Sequence, residues 1–248
     1  MTVSPAQPNR RSLARAWRIA WALVSLVVVQ TLVCGLAAAP AALMWWGVLH
    51  ITESGTAARW LLVILTVAPS YVLFAIALMI VSPVVLRILR WETPADVELP
   101  IAGLDWPVLR WVRYGASIHL VRVIAGTFFR GTPFWTYYLW LCGARVGKRV
   151  YVNSLSVSDY NLLHFGDDVV IGGGVHLSGH TVEHGLLKTA RVRLGDDVTI
   201  GLGSVIEIGV EIGSHAQIGA LSFVPKYARL EGVCTYAGAP AVPIHHEG

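Results

Sequence analysis

Branched apolar residues recur every six positions from Leu194 to Val224: Leu194, Ile200, Ile206, Ile212, Ile218 and Val224. The first five are followed by Gly195, Gly201, Glu207, Gly213 and Gly219. An amphipathic helix repeats near 3.6 residues and a half-buried strand near 2, so neither pattern fits. A period of six predicts a parallel β-helix. Each hexapeptide forms one short side of a coil, the branched side chains stack in its interior, and Gly relieves the corners. The same register holds upstream at Phe165, Ile171 and Leu177, and at Val146 and Val152. With three sides per coil, about four coils are expected between Val146 and Val224. Leu177 and Leu194 stand seventeen residues apart rather than eighteen, and SGHTVEHGLLKTARVR between them carries no repeat until its end. That interruption predicts a loop over residues 178–193, bulging from the coil.

The first half is patterned differently. Arg10, Arg11, Arg15 and Arg18 precede a stretch from Ile19 to Thr52 without Asp, Glu, Lys or Arg, and Trp60 to Leu86 is again uncharged. Each is long enough for a transmembrane helix, which needs about 20 apolar residues. The first run is too long for a signal peptide, and a second follows it. Pro40 predicts that the first helix ends or kinks in its second half, with Trp45 and Trp46 at an interface. Arg87 and Arg90 close the second span, against Arg59 alone in the turn ITESGTAAR, so the positive-inside rule puts both flanks in the cytoplasm. Residues 92–107, with Pro94, Pro100 and Pro107, read as a linker. Residues 110–142 mix arginines with many aromatic residues and predict one or two amphipathic helices. These lie on the membrane face or form a cap buried against the first coil, and the two readings are compatible. The expected organisation is therefore residues 1–91 with two transmembrane helices, 92–144 with linker and surface helices, and 145–248 as the β-helix.

Composition agrees with a membrane protein. Of 248 residues, 55% are hydrophobic and only 14% charged, where a soluble domain carries nearer a quarter. A net charge of +4 without a dense basic stripe or recognition motif points away from nucleic acid. Cys34, Cys142 and Cys234 are scattered and form no CxxC pair, which supports neither a disulfide framework nor a zinc ribbon.

A β-helix is a scaffold, so chemistry must come from its faces and from loops that leave it. The loop over residues 178–193 holds His180 and His184, with Glu183 placed to orient either imidazole. Imidazole changes charge near neutral pH, which suits removal of a proton from an amine or hydroxyl. His176 lies just before the loop, and His164 and His215 read as surface or hydrogen-bonded residues.

FGDDVVIGGGVHLSGHT, VRLGDDVTIGLGSVIEIGVEIGSHAQIGALSFVPK and the closing YAGAPA together resemble the hexapeptide-repeat acyltransferases, a class that includes the maltose and galactoside O-acetyltransferases. The resemblance covers about Val146 to Ile244. It implies a left-handed β-helix, against the usual right-handed crossover, and a homotrimer with active sites between subunits. It places His180 as the general base, two residues closer to the preceding repeat than is usual, with His184 in reserve. Leu202, Ala220 and Lys226 fall where the family contacts its acyl donor. Leu202 is bulkier than the residue usual there, and Pro225 replaces a common Thr. The wider order, with GTPFWTYYLWLCGARVGKRV from Gly131 to Val150, is also similar to the C-terminal membrane region of poly-lysine-synthetase-type nonribosomal peptide synthetases. That likeness would make the donor a phosphopantetheinyl carrier-protein thioester instead of acyl-CoA.

The fold class expected is thus α + β: a transmembrane helical hairpin and amphipathic helices followed by a left-handed parallel β-helix. The function expected is acyl or aminoacyl transfer to a small-molecule or peptide acceptor at the inner (plasma) membrane, beside membrane lipid, with both termini and the coil cytoplasmic and no metal. Two other classes compete: a non-catalytic scaffold of a biosynthetic complex, and a metal site of His176, His180 and His184 like that of the γ-class carbonic anhydrases. The latter enzymes draw their His ligands from separate coils, unlike three within nine residues. Sugar nucleotidyltransferases also carry such coils but need a preceding nucleotide-binding domain.

Overall fold

A computed structural model describes residues 10–51 and 56–244. Helix α1 (Arg10–Ile51) and helix α2 (Thr56–Leu89) pack against each other, with Ala37, Ala75 and Leu78 fully buried. Residues 52–55 of the turn lie outside the described residues. Of the end or kink expected in its second half, an end is not seen: α1 runs on through Pro40. Proline removes one backbone bond, and a long apolar helix continues past that single loss. Both helices are long and apolar enough to cross a membrane, and most of their apolar side chains are exposed. The core helix of a soluble domain would be mostly covered.

The chain between the long helices and the coil is docked rather than a free linker. Strand β1 (Glu98–Pro100) and helix α3 (Trp106–Val121) are followed by a π-helical turn (Arg122–Gly126), a short helical end (Thr127–Phe129) and helix α4 (Pro133–Leu141). A π-turn leaves the helical ladder locally mismatched, and the Tyr71 hydroxyl of α2 donates to the carbonyl of Ile124 there. The cap expected for this region is seen. Trp135, Tyr138 and Leu139 are fully buried, Tyr138 meets Tyr160 edge-on at 5.9 Å, and the Trp135 indole donates to the Ser154 carbonyl. The outer side of the same helices exposes Trp106, Val123, Phe128, Phe134 and Tyr137.

The coil begins with β2 (Arg145–Val146) and β3 (Tyr151–Val152), after which the first turn is completed irregularly through a 3-10 segment (Tyr160–Leu162). The second coil is β4 (Leu163–Phe165), β5 (Val170–Ile171) and β6 (His176–Leu177). A hairpin of β7 (His180–Glu183) and β8 (Leu186–Thr189) then leaves the coil. The third coil is β9 (Val192–Leu194), β10 (Thr199–Ile200) and β11 (Val205–Ile206), and the fourth is β12 (Glu211–Ile212), β13 (Gln217–Ile218) and β14 (Phe223–Val224). Strands β15 (Arg229–Leu230) and β16 (Thr235–Ala237) continue past the expected end at Val224, and β17 (Val242–Ile244) folds back antiparallel to close the stack. Leu230 and Tyr236 keep the spacing of six. The signal fades because Glu231 and Ala237 replace the following Gly and an aromatic residue replaces a branched one.

Parallel pairing stacks like on like: Phe165 on Leu194 on Ile212 on Leu230 along one face, Ile171 on Ile200 on Ile218 along the second, Leu177 on Ile206 on Val224 along the third. At one corner Arg149, Asp168, Asp197, His215 and Val233 all adopt positive φ, one above another. There Arg149 pairs with Asp168 at 2.5 Å, and His215 with Asp197 at 3.0 Å.

Candidate functional site

The segment read as a loop is ordered into a hairpin. Its two-residue tip is His184-Gly185 with φ of 49° and 74°, the positive values that a tight hairpin turn of matching twist requires. Thr189 pairs with His180 at the base, and the Ala190 amide donates to the Gly179 carbonyl to close it. β1 adds a third strand along β8, with Leu99 opposite Leu187. The coil resumes at Val192, so the last two residues of the expected loop already belong to it.

His180 stands where the hairpin leaves the coil. Its Nδ1 lies 2.5 Å from Oδ2 of Asp159, a residue 97% covered at its side chain. Asp159 sits at φ 51°, a conformation that Asp tolerates, and opens the 3-10 segment. Burial, the largest single influence, raises its carboxyl pKa, but hydrogen bonding to and the charge of His180, with the hydroxyls of Thr93 and Ser158, outweigh it and hold the group below the ordinary carboxylate range. Thr93 donates to Oδ1 at 2.7 Å and Ser158 to Oδ2 at 3.0 Å. An ionised carboxylate only accepts, so Nδ1 carries a proton, and in the neutral imidazole the lone pair then sits on Nε2. Asp159 thereby fixes the tautomer that a general base needs. Gly179 permits the approach, because a Cβ there would come within 2.9 Å of the Leu162 side chain and 3.0 Å of that of Asp159. From the other side, Trp111 of α3 packs edge-on against the imidazole at 5.0 Å between ring centres.

The remaining sequence candidates divide. His184 is exposed at the tip, about 13 Å along the strand from His180 at 3.3 Å per residue. Glu183 does not orient an imidazole: it accepts from Lys226 at 2.6 Å and faces Lys188 at 3.2 Å, and these two ammonium groups hold its carboxyl below its ordinary pKa. Its expected partner is displaced because alternate residues of a strand face opposite ways, and His180 and Glu183 stand at opposite ends of β7. Lys226 therefore ties the coil to the hairpin. Leu202, 62% exposed, and Ala220 lie at the next corner, where the Leu221 amide donates to the Leu202 carbonyl. Between the two corners runs the third face, with His176 beside Val205 and Val205 beside Phe223. Among the described residues no three His, Cys, Asp or Glu side chains come together, so His176, His180 and His184 do not converge as metal ligands.

Sequence reading missed Asp159, Thr93 and Trp111. Asp159 lies in SLSVSDYNLL, where the six-residue period is broken, and the other two belong to segments read as linker and surface helix. The break in period was the one available signal.

No family model matches the chain. Over 98 residues it is 36% identical to galactoside O-acetyltransferase of Escherichia coli K12, covering 36% of this chain and 48% of that protein. A solved hexapeptide-repeat-containing acetyltransferase from Vibrio cholerae aligns with 42% of this chain and 62% of its own, at 23% identity and a TM-score of 0.39. Curated relatives of this chain at 34–36% identity are acetyltransferases. Over 166 residues the chain is also 25% identical to Delta-poly-L-ornithine synthetase of Acinetobacter baumannii, 66% of this chain but 12% of that protein. It thus spans about half of the acetyltransferase relative named here and a small part of the synthetase.

Proposed function

We propose that the protein is a membrane-bound acyltransferase with a left-handed coil, in which His180 is the general base and Asp159 positions it. The observation that carries this reading is the 2.5 Å contact between the buried Asp159 carboxylate and His180 Nδ1, which leaves Nε2 free to take a proton. The acceptor amine or hydroxyl gives that proton to Nε2 as its nitrogen or oxygen attacks the thioester carbonyl. The tetrahedral adduct then expels the thiolate, the C–S bond breaks, and the imidazolium returns the proton to sulfur. The donor is an acyl-CoA, in keeping with the acetyltransferase relatives, and it lies along the third face near Leu202, Ala220 and Lys226. A homotrimer would place the site between neighbouring copies.

A carrier-protein thioester is the second reading. It is favoured by the likeness to Delta-poly-L-ornithine synthetase, whose 166 matched residues are too many for the coil alone and take in part of the helical segment. The arginine distribution supports two spans with both ends and the coil in the cytoplasm, and residues 1–91, 92–144 and 145–248 then serve as anchor, cap and catalytic coil.

Thiol release from acyl-CoA and from acyl-carrier protein, measured with a panel of amines and alcohols on the purified protein in detergent, tests both readings. His180→Ala is expected to lower turnover at least about a hundredfold, within the usual worth of a general base. A folded His180→Ala variant with near-normal turnover would remove His180 from this role.

A further inference from the structure

A cavity of about 410 Å³ opens where the end of α2, the segment after it and the first two coils meet. Arg87 and Arg90 from the end of α2, Arg145 from β2, and Arg191 from the foot of the hairpin line it. Their charges are not balanced locally. Arg191 is paired with Asp96, and Arg87 donates to the Trp140 carbonyl at 3.0 Å, whereas no ion pair takes up Arg90 or Arg145 among the described residues. Glu92 is the one carboxylate on the wall. The field is felt by His164, also on the wall. Burial, then the charges of Arg145 and Arg193, hold its imidazole below the ordinary pKa.

Part of the wall is apolar. Pro83 and Leu86 of α2 contribute to it, and Ile80, Val84 and Ile88 of the same helix are exposed. A cationic recess walled in part by the apolar Pro83 and Leu86 of α2 matches an amphiphile with an anionic head. A soluble phosphate would have no use for the apolar part of the wall. Where α2 spans the bilayer, as proposed above, the arginines at its end lie at headgroup depth, where each basic side chain attracts anionic lipid. We propose that this cavity binds the phosphate of an anionic phospholipid headgroup, whose acyl chains lie along α2. Thr93 and Asn161 belong both to its wall and to the hydrogen-bond set around Asp159, with the Asn161 side chain donating to the Thr93 carbonyl at 2.8 Å, so an occupied cavity adjoins the carboxylate that positions His180.

The inference rests on α2 being a span, which carbonate washing of membranes from cells making the full chain tests separately. Protein purified in detergent is then offered phosphatidylglycerol or phosphatidylcholine, and bound lipid is counted by native mass spectrometry. Phosphatidylglycerol is expected to be retained about tenfold over phosphatidylcholine. That preference is lost in R90Q/R145Q, regained in R90K/R145K, and accompanied by unchanged thermal unfolding in both variants. Equal retention of the two lipids, or an unaltered preference in a folded R90Q/R145Q, overturns the proposal. So does displacement of phosphatidylglycerol by inorganic phosphate or coenzyme A, which would assign the cavity to a soluble ligand.

Discussion

At the scale of single residues, the site depends on a carboxylate that is both buried and ionised. Its surroundings depress the Asp159 pKa, so the ionised form favours the folded state above the ordinary carboxylate range. That contribution is lost as pH falls through the folded-state value. Asp159→Asn keeps the shape and removes the charge. It is expected to lower turnover roughly tenfold or more by unsettling the imidazole tautomer. Thermal unfolding across pH should show wild type and Asp159→Asn well separated near neutrality and converging in acid. A gap that stays constant down to pH 3 would mean that folding does not shift the Asp159 pKa. Glu183 teaches the complementary lesson. Adjacency to a histidine in sequence suggested a partner, yet across a strand adjacency means opposite faces, and its partners are lysines from β8 and the coil.

At the scale of elements, the coil was readable because every sixth side chain must fill one interior. Interior position and corner follow from the spacing alone, and the parallel pairing of Ile200 with Ile171 and Ile218 was implicit in it. The corner glycines set the closeness of that stacking. A Cβ at Gly201 would stand 2.5 Å from the Ala220 amide nitrogen, so Gly201→Ala should destabilise the protein by roughly 1–3 kcal/mol through overpacking. Chemical denaturation would register the change, and an unchanged midpoint would show that the corner yields. The hairpin was not readable in the same way. SGHTVEHGLLKTARVR signalled only that the coil was interrupted, because its third strand, β1, comes from a segment some 90 residues earlier whose prolines suggested a tether. Asp159 and Trp111 were hidden for the same reason: their contacts with His180 are tertiary and leave no local period.

At the scale of the whole molecule, two apolar helices, a helical cap and a coil are joined by specific contacts. Arg18 of α1 pairs with Asp105 just before α3 at 2.8 Å, and Arg87 of α2 lies over the Trp140 ring of α4 at 5.7 Å. If α1 and α2 span the bilayer, the full chain should stay with membranes after carbonate washing, and protease added from the cytoplasmic side should reach the coil. Release by carbonate would instead make the helices a soluble or peripheral assembly.

The strand β1 carries one more implication. A fragment beginning at Arg145 would contain both His180 and Asp159, yet it would lack the hydroxyl of Thr93, the ring of Trp111 and the outer edge of the hairpin sheet. On the proposed function the coil is therefore not a portable module: the cap supplies part of its site, and any recombination that swaps coils between anchors must carry Thr93 through Trp111 along with them.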